Sequence, residues 1–203
     1  MKRSILLFTA ALLAALTTTA AALQHQQQTL SQKMVRLHVV ANSDTEEDQA
    51  LKLKVRDAVL SVTEGVSTKE ELQSRLPKIK EAAQECLERN GSSYVVSVTL
   101  KKENFPTRIY DTFSLPAGAY TALRVRIGAG EGQNWWCVAF PSICLRAASD
   151  WEEAATAAGF TDTELNLMTE EHEGYSIKFK ALELLQSLKE KLFCEKEIVR
   201  PQV

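Results

Sequence analysis

The run from Met34 to Val62, M-V-R-L-H-V-V-A-N-S-D-T-E-E-D-Q-A-L-K-L-K-V-R-D-A-V-L-S-V, constrains this chain most. Val35, Leu37 and Val39 alternate with Arg36, His38 and Val40, the period of a half-buried strand. Asn42-Ser43-Asp44 breaks the alternation. Leu51, Val55, Ala58, Val59 and Val62 then recur at the spacing of a helix's buried stripe, and Gly65 stops it. Asp44 with Glu47, or Ser43 with Glu46, reads as a capping box. Glu46, Glu47 and Asp48 put negative charge in the first helical turn, where the dipole favours it. A strand and a helix joined by so short a turn can bury both stripes by packing the helix over a sheet.

The rest of the chain extends this pattern. Ser67 with Glu70 opens a second helical stretch, striped by Leu72, Leu76, Ile79, Ala83 and Leu87. Pro77 inside it predicts a kinked helix or two short ones, and Asn90-Gly91 ends it. Strand-like segments follow at Ser93–Lys101, Thr107–Phe113, Tyr120–Ile127 and Asn134–Phe140. Their short spacings predict an antiparallel meander. Further helices are expected at Trp151–Ala158, capped by Asp150, at Asp162–Met168, and along Leu182, Leu185, Leu188 and Leu192. Another strand is expected at Glu173–Phe179. The fold class is α+β, a mostly antiparallel sheet packed against helices in two layers.

The first residues set the compartment. Lys2 and Arg3 precede a charge-free run from Ser4 to Leu16, and Ala20 and Ala22 form an A-x-A site. These are the parts of a secretory signal over residues 1–22. The apolar stretch is also nearly long enough to be an uncleaved anchor. Residues 23–32 are glutamine-rich and read as a polar tether, leaving one domain over 33–203. With 45% apolar and 25% charged residues and a net charge of −2, nothing marks a nucleic-acid surface. Four cysteines, Cys86, Cys137, Cys144 and Cys194, permit three disulfide pairings in an exported chain. Cys137 and Cys144 flank a Pro141 turn and are the preferred pair. Cys86 sits on an apolar helix face and reads as a small buried hydrophobe. No spacing suits a metal, and no cofactor is implied.

Several residues admit two readings. Gly128, Gly130 and Gly132 lie between strands, which makes a hairpin connection and not a phosphate loop. Trp135 and Trp136 are adjacent on a strand and face opposite sides. The outward one is either covered by another layer or is an anchor for a partner. His38 could act as a general base oriented by Asp44 or Asp48, but as a strand residue it needs no such role. Asn42, Ser43 and Asp44 have sufficient employment as turn and cap. Lys52 and Arg56, four apart on one helix face, read as solvated beside Glu47 or Asp48.

Three strings carry a family resemblance: L-H-V-V-A-N-S-D-T-E-E-D-Q-A-L-K-L-K-V-R-D-A-V from Leu37 to Val59, L-P-A-G-A-Y-T-A-L-R-V from Leu115 to Val125, and G-x-G-x-N-W-W-C-V-A-F-P from Gly130 to Pro141, followed by Cys144. They resemble the stage II sporulation protein R family. The resemblance implies an exported signalling protein of endospore formation with no catalytic residue. Such a protein would cross the forespore membrane into the space between forespore and mother cell. There it would activate a membrane-embedded aspartic protease that processes the sigma-E precursor. The resemblance carries over His38, Asn42, Ser43, Asp44, Asp48, Lys52, Arg56 and Asp57 from the first string. From the last it carries Asn134, Trp135, Trp136, Cys137 and Cys144. All except Asp57 and the two cysteines are candidate partner-binding residues, with the protease as partner and the membrane surface as a second possible contact. The rival reading is an exported envelope hydrolase using His38 with Asp44 or Asp48.

Overall fold

The strand Val35–Val40 (β1) lies inside a four-stranded sheet, flanked on both sides. A computed structural model describes residues 2–66, 68–110, 112–141, 150–169, 180–184 and 187–188. Before β1 comes one helix, α1 (Lys2–Lys33). After it come α2 (Glu46–Thr63), α3 (Lys69–Ser74) and α4 (Leu76–Arg89). Pro77 falls in the first turn of α4, where its missing N–H costs nothing, so the proline separates two helices. The remaining strands are β2 (Val96–Phe105), β3 (Arg108–Ile109), β4 (Ser114–Leu115), β5 (Gly118–Ile127) and β6 (Asn134–Phe140). The short helices α5 (Trp151–Ala157) and α6 (Asp162–Thr169) follow.

The sheet order is β2-β5-β1-β6. β1 runs parallel to β5 and antiparallel to β6. The fold is α+β, as the patterning predicts, but the meander is not formed. β1 separates β5 from β6, so Gly128–Gln133 spans a strand instead of closing a hairpin. β3 and β4 form a separate two-stranded ribbon. The expected strand at Glu173–Phe179, and the Leu185 and Leu192 positions of the last helix, lie outside the described residues.

One face of the sheet makes the core. Val35, Leu37, Val39, Leu123, Val125, Ile127, Val96 and Ala139 meet Val55, Val59 and Leu60 of α2, Leu72 of α3 and Ile79, Ala83 and Leu87 of α4. Each large aliphatic side chain buried in this way contributes roughly 1.5–3 kcal/mol. Cys86 packs against the edge of this cluster as a free thiol, and burial raises its pKa.

The chain divides into two compact units. One comprises Ser31–Glu103 and Ala119–Thr161 and contains the core just described. The other comprises the described parts of Met1–Leu30, Asn104–Gly118 and Asp162–Val203. In the latter, α6 packs against β4, and Leu30, Phe105, Leu115 and Met168 are buried. Where composition suggests a tether over 23–32, the chain is helical throughout, with Gln27, Leu30 and Ser31 buried. From Ile5 to Leu16 the apolar side chains of α1 stand exposed.

Candidate functional site

The turn between β1 and α2 is closed by its own side chains. Thr45, not Asp44 or Ser43, is the N-cap of α2, and its hydroxyl accepts from the Asp48 N–H at 3.3 Å. Asp48, nine-tenths buried, folds back so that Oδ2 accepts from the Ser43 hydroxyl at 2.6 Å and the Asn42 amide at 2.8 Å. Burial pushes the Asp48 carboxyl up. The hydrogen bonds from Ser43 and Asn42 outweigh that and hold it below the usual value.

The freed Asp44 reaches across to the glycine-rich loop, accepting from the Gln133 N–H at 2.7 Å. Asn42 Oδ1 accepts from the Ala129 N–H at 3.0 Å, and the Ala41 and Asn42 carbonyls accept from Gly132 and Glu131. A Cβ at position 132 would run into the Ser43 carbonyl, so only glycine permits this approach. Lys52 is buried, against the expectation of a solvated residue. Its Nζ donates to the Gln133 carbonyl at 3.1 Å and to Gln49 Oε1 at 2.5 Å. Burial lowers its pKa, with Asp44 acting in the opposite direction. The first and last sequence strings are thus two halves of one hydrogen-bonded corner.

The second face of the sheet is polar. Register aligns His38 with Arg124 on β5 and with Trp136 on β6. Trp136 stacks on the imidazole, centroids 3.8 Å apart. His38 Nδ1 lies 3.1 Å from Glu103 Oε2, and Nε2 lies 2.7 Å from the Asn134 side-chain oxygen. Arg124 completes the row, 3.4 Å from the other Glu103 oxygen. Both ring nitrogens are engaged and one ring face is covered, so His38 is clamped in place. The carboxylate at its edge is Glu103. Asp44 and Asp48 are committed to the corner, so the hydrolase pairing of His38 with either is not formed.

Trp135 points to the core face, half-buried against the cluster, with the Arg56 guanidinium 4.7 Å above its ring. Arg56 also donates to Asp57 Oδ1 at 2.7 Å. Cys137 is disulfide-bonded, and Cys144 lies outside the described residues. The structure therefore splits the candidates into three sets. Asn42, Ser43, Asp44, Asp48 and Lys52 build the corner; His38, Asn134 and Trp136 form the polar row; Arg56 and Trp135 pair beside α2. Sequence reasoning missed Glu103. Its signal was the alternation of Ser97, Thr99, Lys101 and Glu103 along β2, which places all four on the polar face.

Comparison with known proteins bears directly on these two regions. The family model for Stage II sporulation protein R (spore_II_R) matches residues 31–150, a span containing the whole corner and the whole polar row. Stage II sporulation protein R of Bacillus subtilis (strain 168) is 37% identical over 136 residues. That match covers 63% of this chain and 61% of the relative, so it spans less than two thirds of either length. No solved structure is significantly similar. A match over more than half of the chain, centred on the elements that form the corner and the polar face, means that the chain belongs to the stage II sporulation protein R family.

Proposed function

We propose that this chain is an exported, non-enzymatic signal that activates a membrane-embedded aspartic protease and so triggers processing of the sigma-E precursor. It would leave the forespore and act in the space between forespore and mother cell. The observation that carries this reading is the family match over residues 31–150, which gives the chain a role in sporulation. Helix α1 supports export, being long and apolar enough to cross a membrane by length and composition. The clamped imidazole of His38 suits a binding face better than a general base, which needs a ring nitrogen within reach of a substrate proton. An activator of this kind works by binding the protease's active state more tightly than its inactive one.

The test is co-expression of the full chain with the protease and the precursor in a cell that does not sporulate. Cleavage of the precursor is expected only when the chain is exported. Cleavage that is equally strong without the chain, or with a form confined to the cytoplasm, would sink the reading.

A further inference from the structure

The polar face carries a second feature beside the His38 row. Ser97 and Thr99 on β2 and Arg124 and Arg126 on β5 line an open cleft of about 200 Å³. Arg124 turns one terminal nitrogen to Glu103, while its Nε is buried and has no hydrogen-bond partner among the described residues. The Arg126 guanidinium and the Ser97 and Thr99 hydroxyls also meet no partner among the described residues. The Arg126 stem lies over Gly130, where any Cβ would collide with it, so the loop leaves room for this arginine. Two arginines and two hydroxyl-bearing side chains therefore line one small space, with Arg124 alone engaged by a neighbour among the described residues. Charge-assisted bonds from an arginine to an oxyanion are roughly twice as strong as neutral ones, and the exposed Arg126 guanidinium is placed to make them.

We propose that this cleft binds a single carboxylate, presented by an acidic side chain of a protein partner. Charge decides between carboxylate and phosphate. Arg124 and Arg126 contribute two positive charges, and Glu103, ion-paired to Arg124, offsets one of them. The remaining single positive charge matches a monoanion. A phosphate, carrying ≈ −1.5 to −2 at neutral pH, would be left under-neutralised. Face and partner are also complementary in the broader sense: Lys101 stands exposed on the same side of β2, so an acidic surface would be steered here. Only the identity of the carrier rests on the signalling role proposed above; the cleft's preference for a monoanion does not.

The experiment is in two parts. First, the full-length chain in neutral detergent is titrated with sodium acetate, following the arginine Nε–H resonances by NMR. The signals of Arg124 and Arg126 are expected to move and saturate at concentrations on the order of millimolar. Thr99→Val, which leaves every charge in place, is expected to weaken the response, and Arg126→Gln to abolish it at Arg124. Shifts spread evenly over all the arginines, or no saturation, overturn the site. Tighter binding of inorganic phosphate than of acetate overturns the carboxylate assignment. So does capture by phosphatidylglycerol vesicles that Arg126→Gln prevents while acetate has no effect. Second, Arg126→Gln is expected to lower precursor cleavage in the co-expression assay by about tenfold, and Arg126→Lys by less. Cleavage unchanged by Arg126→Gln, with the parent chain active, overturns the partner's carboxylate and leaves the signalling role standing. An inactive parent chain defeats the signalling role, and the acetate titration still decides the cleft.

Discussion

Asp48 shows how one side chain can hold a turn through its charge. Its carboxylate is buried and receives the Ser43 hydroxyl and the Asn42 amide. These bonds favour the ionised form and hold the pKa below the ordinary 3.8. A carboxylate depressed on folding adds stability that is fully present above its unfolded value. That stability is lost as pH falls through the lower, folded value. Asp48→Asn is therefore expected to cost about 1–3 kcal/mol in urea unfolding at neutral pH. The gap between parent and variant should close below pH 3.8. A gap that is constant with pH would mean that shape, and not charge, holds the turn.

At the scale of the element, α2 and the glycine loop divide the work of Thr45 and Asp44. Thr45 caps the helix and Asp44 holds the loop through Gln133. Thr45→Ala should lower stability by about 0.5–2 kcal/mol through loss of the cap. Asp44→Ala should leave α2 intact and instead release the Gln133 amide, read as faster hydrogen exchange at that residue. Protection unchanged at Gln133 would contradict the assignment. On the strand β6, Trp135 is half-buried beneath Arg56, an aromatic–arginine pair of the kind enriched at interface hot spots. Trp135→Ala is expected to reduce precursor cleavage by about tenfold or more with the exported amount unchanged. Normal cleavage would exclude this pair from the contact.

For the whole molecule, the decisive arrangement is β1 between β5 and β6. Leu37 at its centre is fully buried within the core cluster that α2, α4 and β5 side chains also join, so Leu37→Ala should cost about 2–5 kcal/mol in a denaturant titration. The opposite holds for the first part of α1. Its large apolar side chains, Ile5 to Leu16, are exposed. Removing residues 1–22 should shift stability within about 0.5 kcal/mol while abolishing export and cleavage. Loss of folding on that removal would show that the segment serves the fold as well.

The sequence alone determined the strand, the polar turn and the helices, because apolar periodicity is a local property that each element carries in full. It also determined the family, through long strings in Leu37–Val59 and Gly130–Pro141. What it could not decide was which strands pair, since a period of two looks the same whichever neighbour the strand takes. It misplaced the cap by one residue because Asp44 is drawn off to Gln133, a contact 89 residues away. Likewise it missed Glu103, 65 residues from His38, and took Lys52 as solvated because the Gln133 carbonyl that receives it lies 81 residues on. Only the tertiary structure brings these groups together. Hydrogen-bond partners are chosen by distance in space, and the turn from Asn42 to Asp48 proves to be mainly a fastening between two strings, beside a polar face whose working residues stand on four different strands.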